Sequence, residues 1–85
     1  MREVGTIIDL YTEANREYLQ LLLEGDHTKI MEKLTCLKEL HKELVEAIGD
    51  RREALRIAQR CYTTALDERN YYLSEQAMKS TKGDI

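Results

Sequence analysis

The sequence predicts an all-α fold: a three-helix antiparallel bundle with helices over about 6–24, 27–48 and 51–80, a long third helix, and scope to assemble into a larger helical bundle. Three observations predict it. Twice an apolar helical run stops at Gly-Asp and another begins at once, at Leu23-Glu24-Gly25-Asp26 and at Ala47-Ile48-Gly49-Asp50. Glycine closes a helix in the left-handed conformation and aspartate caps the free amides of the next, so each pair is a two-residue reversal. The 85 residues contain no proline, and apolar residues recur at 3-4 spacing in each segment, as helices packed side by side require. Residues 1–80 form one helical domain in this reading, and 81–85 a frayed tail.

In the first helix, Thr6 with Asp9 three residues on has the pattern of a capping box, and Arg2 to Val4 can extend the helix upstream. Val4, Ile7, Tyr11, Ala14, Tyr18 and Leu21 form the predicted inward seam. Toward the end, Leu19, Leu21, Leu22 and Leu23 wrap most of the way round the helix, and one side cannot bury them all.

The second helix carries Ile30, Leu34, Leu37, His41, Leu44 and Ile48 at 4-3-4-3-4 spacing, with Met31, Leu40, Val45 and Ala47 widening the stripe, and is expected to be the best buried. Its lysines alternate with glutamates on the remaining surface, as on a solvated face. In the third helix the seam uses small residues, Ala54, Ala58, Cys61 and Ala65, beside Leu55, Tyr62, Leu66 and Tyr72.

Helix lengths point to a candidate site. At 1.5 Å per residue the second helix spans about 33 Å and the third about 45 Å, so the third overshoots. Counting outward from the turns places Tyr72 beside His27 and near Glu24, with Leu73 to Ser80 projecting. Leu19, Leu22 and Leu23 lie at that end. With Tyr71, Tyr72, Leu73, Ala77 and Met78 they make an apolar, tyrosine-rich collar, the expected partner-binding surface.

A second candidate is the stripe Arg52, Arg56 and Arg60, which could grip phosphates or an acidic surface. Glu53, Asp67 and Glu68 dilute it, and the bland reading is a solvated face with internal ion pairs. Cys36 and Cys61 fall at similar heights and are expected to be small buried hydrophobes. His41 falls in a seam, where burial calls for a hydrogen-bond partner such as Tyr11 or Tyr62. The spacing of Cys36, Cys61, His27 and His41 does not suit zinc, and no metal or cofactor is expected. With no Gly-rich phosphate loop, nucleophile elbow or paired Glu-x-x-His, the chain reads as a non-enzyme.

Charged residues make up 34% of the chain and the net formal charge is −3. That disfavours nucleic acid as a partner without removing it. No apolar run has membrane-spanning length and the N-terminus lacks a signal-peptide pattern, so a cytoplasmic location with reduced cysteines is expected. A chain of this size builds a thin core, for which self-association is a common remedy, and a homodimer is the expected assembly.

The leading expectation is therefore a small adaptor or regulator that binds a protein partner, or another copy of itself, by helix packing through the collar. The alternative is a regulator that binds nucleic acid or an acidic surface through the arginine stripe. The Leu22-Leu23-Glu24-Gly25-Asp26 reversal between amphipathic helices is loosely similar to bacterial flagellar export chaperones. That resemblance covers one hairpin of generic residues and implies a third role, in export or assembly chaperoning.

Overall fold

The computed structural model describes residues 2–83, and side chains as far as Met78. It is a three-helix bundle of α1 (Val4–Glu24), α2 (His27–Ile48) and α3 (Arg51–Gly83), with no strand among the described residues. Both reversals form as the Gly-Asp pairs dictate. Gly25 and Gly49 are left-handed, at φ 76° and 77°, and their amides bond to the carbonyls of Leu21 and Val45. Asp26 Oδ1 accepts from the Lys29 amide at 3.2 Å, and Asp50 Oδ1 accepts from the Arg52 amide at 2.9 Å.

Helix boundaries differ from expectation at two places. α1 starts at Val4, after an extended Glu3 with no side-chain cap, so Thr6 and Asp9 lie inside the helix and not at its mouth. α3 runs on through 81–83, part of the expected frayed tail, to Gly83; Asp84 and Ile85 lie outside the described residues. Neither Thr81 nor Lys82 is a helix breaker, and the glycine stands at the helix end. At 33 residues α3 is about 50 Å long, which accounts for most of the 55 Å long axis.

The core is thin and lies in two clusters. Near the Gly49 turn, Ile7, Leu44 and Ala54 are fully enclosed, with Val4, Ile48 and Ile57 packed around them. Further along, Ala14, Leu37 and Leu40 meet, flanked by Tyr11, Tyr18 and Cys36. Ala54, Ala58, Cys61 and Ala65 are all buried, as the small-residue seam of α3 predicts. Short side chains let α3 come close enough for the Cys61 thiol to lie 3.9 Å from the Ile8 carbonyl oxygen.

It is α1, and not α2, that is central. It packs along both other helices, whereas α2 and α3 meet less extensively. The inward face of α2 lies toward the Leu40 side of the expected stripe: Leu37, Leu40 and Leu44 are buried as expected, His41 is half-buried, and Leu34, expected in the seam, is exposed. Two overlapping apolar stripes on α2 competed for α1, and the stripe with Leu40 won.

Candidate functional site

The register of α1 and α3 sets where the bundle ends. Arg16 on α1 bonds Glu68 on α3, and Tyr72 shares a surface hollow with Leu19 and Gln20. Tyr72 thus lies about a turn short of Glu24, and extrapolation along the helices makes Gln76 level with Glu24. The overhang begins near Ala77 instead of Leu73 and covers about 10 Å. Counting from the turns had ignored the offset between the two parallel helices.

The apolar residues expected at this end are brought together there with one exception. Leu22, Leu23, Tyr71, Tyr72, Leu73 and Met78 are all exposed, from 42% for Leu73 to 69% for Tyr71. Ala77 is exposed too. Leu19 is the correction: at 2% exposure it is a core residue. Its position on α1 falls on the side turned to α3, where Ala65 leaves room for it.

At about 100° per residue the collar divides between opposite faces of α3. Tyr71 and Met78, seven residues apart, share one face. Leu73 falls on the other, in line with Leu55, Gln59, Tyr62, Leu66 and Arg69 at 4-3-4-3-4 spacing. Leu55 and Tyr62 are 51% and 40% exposed. On α2 the run Leu34, Lys38, His41 and Val45 has the same spacing, and on α1 so does Tyr11, Asn15, Tyr18 and Leu22.

These stripes border a groove between α2 and α3. Val45, His41, Lys38 and Lys42 line it with Arg51 and Leu55, and it continues past His41 and Leu55 over Tyr11, Asn15, Ala58 and Tyr62. The buried Asn15 donates Nδ2–H to the Tyr11 carbonyl at 2.9 Å. His41 meets Tyr11 ring to ring, with centroids 6.4 Å apart, in place of the expected hydrogen bond. Partial burial, and secondarily the neighbouring Cys61, raise the Tyr11 phenol above its ordinary value. Leu55, Tyr62 and Tyr72, expected beside the inner seam of α3, are exposed instead, because the small residues Ala54, Ala58, Cys61 and Ala65 alone occupy the buried face.

Arg52, Arg56 and Arg60 are exposed on α3, and Arg56 approaches Glu53 to 3.9 Å. Stronger pairs tie α1 to its neighbours. Hydrogen bonds from Arg16 hold Glu68 below the usual carboxylate range, and those from Arg16 to Glu68 and Glu13 raise its own guanidinium. Lys33 pairs with Glu17, whose bond raises the ammonium. Arg2 on the N-terminal segment reaches Glu43 at 3.1 Å. Cys61 is buried and Cys36 half-buried, both as free thiols.

Among the described residues, no three His, Cys, Asp or Glu side chains are grouped to hold a metal ion, and no helix is long and apolar enough to cross a membrane. No protein-family model matches the chain, and searches of curated proteins and of solved structures likewise find no match.

Proposed function

We propose that the chain is a non-enzymatic protein-interaction module, a small adaptor or regulator that binds another helix by side-by-side packing. One observation carries the reading: six large apolar side chains, Leu22, Leu23, Tyr71, Tyr72, Leu73 and Met78, are exposed at one end of a bundle whose core is thin. That much exposed apolar surface at one end of a small domain usually marks an interface. Tyrosine suits it, giving a broad apolar contact and a hydroxyl that stays in contact with water. Binding removes this surface from water at about 25 cal/mol per Å² before the costs of association.

The test is light scattering across a dilution series, with a pull-down, comparing the wild type with a Tyr71→Ser, Tyr72→Ser, Leu73→Ser triple variant. The expected result is that the variant loses a dimer or a captured partner that the wild type holds. If oligomeric state and every captured partner are unchanged while the helical content is intact, the reading fails.

A further inference from the structure

We infer that the groove between α2 and α3 is a docking track for an amphipathic helix with acidic flanks, which completes a four-helix bundle. The inference rests on the helix-packing reading above and narrows it: the partner lies along the groove, on the Leu73 side of α3 and not on the Tyr71 and Met78 side.

Three helices present apolar stripes of the same 4-3 period to one groove. Tyr11 and Asn15 give it a floor, His41 and Val45 stand on one wall, and Leu55 and Tyr62 on the other; by spacing, Tyr18 and Leu22, Leu34, and Leu66 continue the same three stripes. A stripe of this period is what a helix needs in order to interlock with a neighbour. On α2 and α3 one stripe is spent on the core and the other left half-exposed at Leu34, Leu55 and Tyr62, while on α1 Tyr11, Asn15 and Tyr18 are partly or fully buried beneath the groove. The modest contact between α2 and α3 keeps the walls apart. The groove itself is lined on α3 from Arg51 to Thr63, about 18 Å of helix, and the α3 stripe that borders it runs on from Leu55 to Leu73, about 27 Å, the length of a helix of roughly 18 residues.

Charge selects the occupant. The protein has 16 Asp and Glu against 13 Lys and Arg, yet the three outer stripes contain no carboxylate at any position. Among the described residues lining the groove, Glu39 is the one acid, against Lys38, Lys42 and Arg51. Arg52 and Arg56 continue the basic rim on the outer side of α3 by their helical positions. An apolar trough with a cationic border in an acidic protein matches a helix that is apolar along one face and acidic beside it. This also gives Arg52 and Arg56 a role: they steer the acidic flank of the partner helix.

The test is selection from a displayed library of helices of about 18 residues, with aliphatic seams and flanking positions drawn equally from Glu, Lys and Gln. The expected result is enrichment of Glu over Lys at the flanks by about tenfold, the factor given by roughly 1.4 kcal/mol of charge preference. Peptides so selected should bind Lys38→Glu, Lys42→Glu, Arg56→Glu protein at least about tenfold more weakly; those three rim changes leave the core intact. Leu55→Glu with Tyr62→Glu should abolish binding, and Tyr71→Ser with Met78→Ser, on the far face of α3, should not. No enrichment of Glu, or binding that depends only on Tyr71 and Met78, overturns the groove while leaving the helix-packing reading in place. Two other results overturn it as well: a free protein that is a dimer split by Leu55→Glu, or a single-stranded oligonucleotide that displaces the peptide and binds with the same dependence on Arg52 and Arg56.

Discussion

Arg16 and Glu68, 52 residues apart, form a two-pronged pair across α1 and α3: Nε–H donates to Oε2 at 2.6 Å and Nη2–H to Oε1 at 3.0 Å. Parallel bonds between a guanidinium and a carboxylate fix geometry as well as attraction. This pair marks which turn of α3 lies beside which turn of α1, and so how far the tyrosine-rich end extends past the hairpin.

Glu68→Gln should lower thermal stability modestly, because both side chains are about half-exposed and solvent screens the pair. The difference from wild type should shrink in high salt. Its pH dependence has a definite sign. Pairing lowers the Glu68 pKa in the folded state, so the stabilisation is present above the unfolded carboxylate value and is lost as pH falls through the folded one. Melting curves of the two proteins from neutral to acid pH should converge at the acid end. A constant gap would show that the pair does not titrate with folding.

Leu44→Ala should cost about 2–5 kcal/mol, because Leu44 is fully enclosed between Ile7 and Ala54 and the hole cannot be filled by its small neighbour. Leu34→Ala, one of the residues the simple heptad reading places inside α2, should cost under about 1 kcal/mol, because Leu34 is 40% exposed. Urea denaturation followed by circular dichroism measures both. Equal losses would mean that the α2 face turned to α1 is the expected seam after all.

Gly49→Ala should cost about 1–2 kcal/mol purely through the backbone. Its φ is 77°, and a Cβ there meets no atom within 4 Å, so strain and not collision is the cause. Gly49→Asn should cost less, since asparagine tolerates the left-handed region best among side-chain-bearing residues. Denaturation midpoints of the two variants decide it: if Asn is no better than Ala, conformational preference is not what governs this turn.

Much of the fold was legible because its signals are local. Gly25-Asp26 and Gly49-Asp50 determine the two reversals through backbone conformation and capping alone, with no help from distant residues. The small-residue seam of α3 was equally readable, since Ala54, Ala58, Cys61 and Ala65 have little competition on their side of the helix. The candidate site was legible in part. Leu22, Tyr71, Tyr72, Leu73 and Met78 are exposed at one end as expected, whereas Leu19 is buried, because which of four adjacent leucines faces inward depends on where α3 sits.

By itself, then, the sequence determined three helices, their boundaries to within a few residues, their reversals, and the presence of more apolar surface than one small core can hold. Only the tertiary structure decided how that surface is shared out. Each helix carries overlapping 3-4 stripes, and periodicity alone ranks them equally. The choice falls to packing: α1 takes the centre, small residues bring α3 against it in the register that the Arg16–Glu68 pair marks, and α2 turns Leu40 inward while leaving Leu34 exposed. A stripe becomes core or surface through the neighbours that close over it, and those neighbours are distant in the chain.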